Sequence, residues 1–467
     1  MKKIILYLLV AFSIKGANAQ TWTPVGTGLA FGRIESMCEY NGELYVGGVF
    51  DSIGGVQSYS IAKWNGTTWN SVPNSYSLTN YTNPFSLNLE IFDMTVYNGE
   101  LVVAGSTWFN GNQQRNIAKW NGTSWSQFGT GMDNRIFAIE VYNGELYATG
   151  HFEHAGGIPT RGIAKWNGTS WSQVGGPGLN LSPGFTGSAL QTYNGELYLA
   201  GGFGLINGLP VNSIAKWNGA SWSSVGTIDE LWQFQSLGVF NNKLYAGGNM
   251  IINNNPTEHW IANWNSTAWD SVGLGLNYVP NSMTVYNGEL YIAGRFDTAG
   301  GSQALCIARW NNVQWNTLGS GLNLYHINVD SVITPWDTTI YPHEFIYSMC
   351  TYNNELYVGG RFTQMGGVNA NSIAKWHIPS VFVNDLKNEF NFSLFPNPVT
   401  NVIYLNSKLK LENAQIIIHD LLGQELRIMT NLFGQQFTID RENLIAGIYF
   451  ITIIQEDKTW TGKLMIE

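Results

Sequence analysis

The chain has 467 residues, of which only 12% are charged, with a net charge of −9 and no Lys/Arg cluster. Neutralising phosphates needs a basic face, so this balance excludes nucleic acid as the expected partner. The length admits one large repeat domain beside a smaller one, and 53 Gly with 19 Trp suit short twisted strands joined by tight turns.

Residues 1–19 begin with Lys2 and Lys3, continue with the apolar run IILYLLVAF and end in ANA before Gln20. That pattern predicts a secretory signal peptide cleaved after Ala19, with Lys15 a small departure from it. The apolar run is too short to span a bilayer and no later stretch is long enough, so no transmembrane segment is expected. Three cysteines in an exported chain cannot all pair internally. Cys38 (SMCEYN) and Cys350 (SMCTYN) share a slot, so a bridge is open to them. Buried free thiols are the expected state, because equivalent slots of splayed repeats can lie beyond disulfide reach.

YNGELYVGG at 40–48 returns in close variants at 97, 142, 193, 240, 286 and 352, and an IAKW-type segment places a Trp at 64, 120, 166, 217, 264, 310 and 376. A period of about 52 residues marks stacked supersecondary units. Each unit holds two hairpin signals, YNGEL and WNGTSW, between alternating apolar residues, and type I′ turns favour Asn-Gly because both central residues need positive φ. Two hairpins give four antiparallel strands, A to D, which is a propeller blade. The seventh copy lacks a D strand, while the mature N-terminus begins TWTPVGTGL, a D strand without a blade, with Trp22 in line with Trp69, Trp125, Trp171, Trp222, Trp269 and Trp315. The expected fold is therefore all-β: residues 20–379 form a seven-bladed β-propeller whose N-terminal strand closes the last blade and removes an exposed edge. In blade size, in the GG after the second strand and in the paired aromatics, the repeat resembles the kelch and galactose-oxidase-like propellers. WNGTSW also resembles the Asp-box turn of sialidases, but Asn stands where that motif has Asp and no arginine triad is evident in the sequence, so that chemistry does not carry over.

Antiparallel order puts the A–B and C–D turns on one face and the B–C and D–A connections on the other. The first face is nearly all two-residue turns, and the insertions 73–91, 176–188 and 319–345 all fall on the second, the insertion face. Fourteen Trp belong to the C and D strands. Of the others, Trp108, Trp232, Trp260 and Trp336 sit in or beside insertion-face connections and are candidates for a binding surface, since aromatic platforms stack on sugars or anchor proteins; filling space under their own loops is the competing role. His151, Glu153 and His154, and His326, Asp330, Asp337 and His343, lack the spacing of a metal site, so no metal or cofactor is expected. The favoured function is a non-enzymatic module binding a glycan or a protein. A glycan-active enzyme using Asp330, Asp337 or Glu344 is one alternative, and a structural or adhesion component of the surface is another.

After IAKWHIPS the pattern changes: residues 380–391 read as a linker and 392–467 as a small Ig-like β-sandwich of alternating strands. This segment resembles the type A C-terminal sorting domain of the type IX (Por) secretion system of Gram-negative bacteria. Phe395, Pro396, Asn397 and Pro398 match its opening F/Y-P-N-P, Asp420, Leu422, Gly423 and Gln424 its middle turn, Leu444, Gly447 and Tyr449 its L-x-x-G-x-Y strand, and Lys463 its terminal basic residue. The resemblance implies export through the periplasm and across the outer membrane, with the type IX machinery as partner and a sortase-like protease that removes the domain. The protein is then released or attached at the surface.

Overall fold

The computed structural model describes residues 21–73, 90–109, 113–179, 186–226, 230–251, 259–322, 344–377, 392–420, 425–442, 444–455 and 458–466. The expected signal peptide and linker lie outside them. The chain divides into two compact units, Met1–Ile378 and Pro379–Glu467.

The first unit contains seven four-stranded antiparallel sheets. In the first blade the A strand Arg33–Tyr40 pairs with the B strand Glu43–Val49, then come the C strand Ile61–Trp64 and the D strand Trp69–Ser71. The last blade takes its A, B and C strands from Phe345–Tyr352, Glu355–Arg361 and Ile373–His377. Its D strand is the N-terminal Thr21–Pro24, with Trp22 opposite Trp376. The seven A strands pack neighbour to neighbour in a closed circle. The repeat thus yields the closed seven-bladed propeller that its sequence predicts.

Each sheet is apolar on both faces, so the core is distributed: seven buried clusters occur, each shared by two adjacent blades. At every seam the D-strand Trp donates its indole N–H to a carbonyl of the chain leaving the preceding blade, Trp69 to Val25, Trp171 to Phe128 and Trp22 to Leu318 among them, at 2.9–3.2 Å. The same Trp packs on the C-strand Trp of its own blade, ring centroids 4.9–5.4 Å apart. The GG motif serves this packing. Gly366 has φ +59, and a Cβ there would lie 2.4 Å from Trp22 Cδ1.

The two turns differ. In the A–B turn both Asn41 (φ 50) and Gly42 (φ 73) are left-handed, as type I′ requires. In the C–D turn only the Gly is, with Gly66 at φ 98, and the Asn65 carboxamide oxygen instead accepts the N–H groups of Thr67 and Thr68. The second Asn-Gly therefore acts through a side-chain bond to the backbone, not through positive φ at both positions.

Around the axis each A strand has a free sheet edge, and neighbouring blades cap it. Asp93 accepts Ile139 N–H at 2.8 Å, Glu140 accepts Thr192 N–H at 3.1 Å, and Ser282 Oγ accepts Met349 N–H at 3.1 Å. Asp93 keeps some surface on the axial side yet lies deep among the strands, and burial raises its carboxyl to about 7 against the pull of its two backbone N–H donors. Cys38 and Cys350 also lie here, near enough to act on each other electrostatically. Their A strands are neighbours across the closing seam, and both are free thiols, as is Cys306. Burial pushes them up to about 12 and 11, so they stay protonated.

The second unit is a five-stranded sheet in which four strands follow one hydrogen-bonded path and the fifth branches from it. The long Val402–His419 and Glu425–Asp440 pair through several bulges, Phe392–Phe395 joins the start of the first, and Gly447–Gln455 with Lys458–Ile466 joins its end. The bulges bend the long strands, and a single core including Phe392, Leu405, Ile416, Tyr449 and Leu464 fills this sandwich-like unit.

Two tests follow from these contacts. Trp22→Ala removes a buried side chain and the only D-strand indole of the closing blade, and should lower propeller stability by about 3–5 kcal/mol in chemical denaturation. Trp22→Phe, which keeps most of the packing, should cost only about 1 kcal/mol. The second test concerns pH. The folded-state carboxyl of Asp93 titrates above its unfolded value of about 4, so the folded state binds this proton more tightly and stability falls as pH rises from about 4 through about 7. Asp93→Asn should flatten the thermal midpoint across that window, and an unchanged slope would assign it to other groups.

Candidate functional site

The A strands start on the insertion face, so their first residues ring the axis there. At the slot that opens the strand the blades place, in order, Arg33, Glu90, Arg135, Thr186, Gln233, Val279 and Phe345. Two residues further on they place Glu35, Phe92, Phe137, Ser188, Gln235, Asn281 and Tyr347. The slot facing the opening residue, at the end of the B strand, holds Val49, Ser106, His151, Gly202, Asn249, Arg295 and Arg361. The backbone repeats seven times, whereas these side chains do not.

The unlike side chains segregate. Arg33 of the first blade pairs with Glu35 and with Glu90 of the second. Phe92 and Phe137 pack with centroids 5.4 Å apart. On the sixth and seventh blades, the latter adjoining the first, the Arg295 guanidinium stands 4.6 Å over the Phe345 ring, Phe345 is the cross-strand partner of Arg361, and Phe345 meets Tyr347 edge-on at 6.3 Å. Burial raises the Glu35 carboxyl above its ordinary range, against the Arg33 charge. Burial and then the Glu35 charge raise the half-buried Tyr347 hydroxyl, while Arg295, Arg33 and Arg361 act in the opposite direction. Three guanidinium groups and a carboxylate thus converge electrostatically on one phenol. On the opposite face the corresponding region is an open depression of about 550 Å³ bordered by turn carboxamides of Asn287, Asn353 and Asn354 with Glu39 and Thr351.

The sequence candidates are dispersed around this mouth. Trp108 lies in the short strand Trp108–Phe109 of the second blade's B–C hairpin, and Trp232 in the extended A strand Glu230–Phe240 of the fifth, beside a bulge. Trp260 is the second residue of the fifth blade's C strand, His259–Trp264, and stacks on Tyr278 at 4.8 Å, partly buried against the cluster shared with the sixth blade. Trp336, Asp330, Asp337, His326 and His343 lie outside the described residues. Glu344 accepts from both the N–H and hydroxyl of Thr363, and His154 Nδ1 lies 2.8 Å from Asp133. Among the described residues no cluster of three or more His, Cys, Asp or Glu is placed to hold a metal ion. The axial arginines were missed because attention to repeated Trp passes over slots that differ between copies; aligning the copies on GRF at 294–296 and 360–362 would have shown them.

In the second unit the FPNP segment is clasped to the last strand. Asn397 Nδ2 donates to Lys463 O at 2.9 Å, while its Oδ1 accepts Met465 N–H at 2.8 Å, and Val399 N–H reaches Met465 O. The peptides preceding Pro396 and Pro398 are both cis. Leu444 packs partly into the core and Tyr449 donates its hydroxyl to Ile445 O at 2.8 Å. Gly447 is exposed, and a Cβ there would meet nothing nearer than 3.7 Å, so packing inside the unit does not require glycine. Lys463 projects outward; Asp420 follows the long strand, while Gly423 lies outside the described residues. Asn397→Ala leaves a backbone donor and acceptor unpaired and should destabilise this unit by about 1–3 kcal/mol, read as faster hydrogen exchange at Met465 with the propeller amides unchanged.

No curated protein matches the chain. Among solved structures it is similar to the extracellular domain of a hybrid two-component system from B. thetaiotaomicron, at 10% identity and a TM-score of 0.45, covering 96% of this chain and 57% of that one. It is also similar to a structural-genomics protein of unknown function from Bacteroides thetaiotaomicron, at 11% identity and a TM-score of 0.35, covering 75% and 99%. This chain therefore spans less than two thirds of the first of these. The family described as the secretion system C-terminal sorting domain matches residues 393–467, the stretch that holds the FPNP clasp, the L-x-x-G-x-Y strand and Lys463. Residues 393–467 are a secretion system C-terminal sorting domain, and the protein is exported by type IX secretion to the cell surface or beyond it.

Proposed function

We propose that the propeller is the working part of this exported protein and that it is a binding module, taking a glycan or a protein on its insertion face. One observation carries the reading: on that face the repetition breaks. The opposite face is built from near-identical A–B and C–D turns, as a purely structural ring would be on both sides. The insertion face instead carries the longest connections and axial slots each filled by six different residue types among the seven blades. An asymmetric ligand cannot be recognised by seven equal slots, so loss of equivalence at the axis is what recognition needs. Trp108, Trp232, Trp260 and Trp336 are the aromatic residues this reading assigns to the ligand, since aromatic platforms stack on sugars or anchor proteins. On this reading a sortase-like protease removes the sorting domain within 380–391, and the propeller is released or attached at the surface.

The intact protein should retain at least one glycan or one surface protein in an array and pull-down screen, with Trp108→Ala or Trp336→Ala weakening retention about tenfold. Silence in both screens would overturn the binding module in favour of a structural role, and cleaved glycan among the products would replace it with an enzyme.

A further inference from the structure

We infer that the axial mouth on the insertion face is a site for an acidic saccharide, a sugar residue bearing a carboxylate, held by Arg295 and Arg361 and oriented by Tyr347 and Glu35. The inference rests on the binding reading above and names its ligand class.

Most cations of the propeller's strands stand in ion pairs, and two at the mouth do not. In six blades the cation of the C strand is matched by the glutamate after the A–B turn, as in Lys63–Glu43 and Arg309–Glu289. Arg33 is matched twice, by Glu35 and Glu90. Arg295 and Arg361 are different. Both are exposed, both close the B strand of their blade, and among the described residues neither forms an ion pair. In five other blades the same slot holds Val49, Ser106, His151, Gly202 and Asn249, so the fold does not require a cation there. Between the two stands Phe345, whose ring lies under Arg295 and opposite Arg361. A guanidinium resting on an aromatic face keeps its N–H fork free, and that planar fork matches a carboxylate with two parallel hydrogen bonds.

The neighbours decide what kind of anion fits. Tyr347, in electrostatic reach of all three arginines, offers a protonated hydroxyl, and Glu35 offers a half-buried carboxyl already held by Arg33. Glu35 and Glu90 would repel a polyanion or an acidic peptide, whose charge recurs along its length. They suit a ligand that presents one carboxylate to Arg295 and Arg361 and hydroxyl donors to Glu35 and Tyr347. The aromatic side of the mouth, Phe92 with Phe137, gives the C–H face of a sugar ring a surface to lie on.

The test titrates the intact protein with uronate-containing oligosaccharides, their carboxyl-reduced neutral counterparts, sulfated oligosaccharides and Asp/Glu-rich peptides, at two salt concentrations. The expected result is binding of the uronate series, at least tenfold loss on carboxyl reduction, weakening by salt, and at least tenfold loss in Arg361→Gln and Arg295→Gln. Both positions are exposed, so the thermal midpoint of each variant should stay at the wild-type value. Equal binding of the reduced sugars, or binding indifferent to both arginines, overturns the acidic-saccharide site while leaving a glycan-binding propeller intact. Preference for the sulfated series or for the peptides overturns it in favour of another anion. No binding of any probe, together with silence in the broad screen, removes this inference and the binding reading together.

Discussion

The indole N–H of each D-strand tryptophan, donated across the seam to the chain that leaves the preceding blade, is the contact on which the propeller depends. A four-stranded sheet of this length cannot bury both faces alone, so each blade is stable only between two others. The Trp does three things at the seam: it fills space, it satisfies a buried carbonyl, and it presses on the glycine of its own B–C hairpin, where no Cβ fits. Because the last blade borrows its D strand from the N-terminus, Trp22 makes the same bond to Leu318 and the ring has no weaker seam at its closure.

A ring made this way leaves one unsolved edge, the inner side of the A strands. The seam positions repeat from blade to blade, while the axial positions do not. Asp93, Glu140 and Ser282 cap amides of adjacent strands, each with a different chemistry. The elevated Asp93 carboxyl is the consequence, since capping an edge from inside places a carboxylate where water is scarce. Nearer the insertion face the same freedom from repetition lets arginine, glutamate and aromatic residues gather on one side of the axis.

Export is assigned to the second unit. In the sorting domain, the Asn397 clasp explains within the domain why the FPNP segment has the sequence it has, because both ends of the carboxamide are used. Gly447 and Lys463 have no such internal reason, being exposed and free of steric demand, which is what residues read from outside would show.

The sequence alone determined the number of blades, the strand order, the closure through Trp22 and the sorting tail, because each rests on local signals: turn dipeptides, alternation, and a period that counts itself. It also placed the insertions on one face, since antiparallel connection leaves no choice. It did not show that the two Asn-Gly turns differ, because the side-chain bond of Asn65 and the left-handed backbone of Asn41 are spelled with the same two letters. Nor did it show the axial cluster. Arg33, Arg295 and Tyr347 are separated by hundreds of residues or lie on different blades, and each alone looks like an ordinary surface residue. Only closure of the ring brings the first blade against the seventh, and with it Arg33 and Glu35 into electrostatic reach of Tyr347.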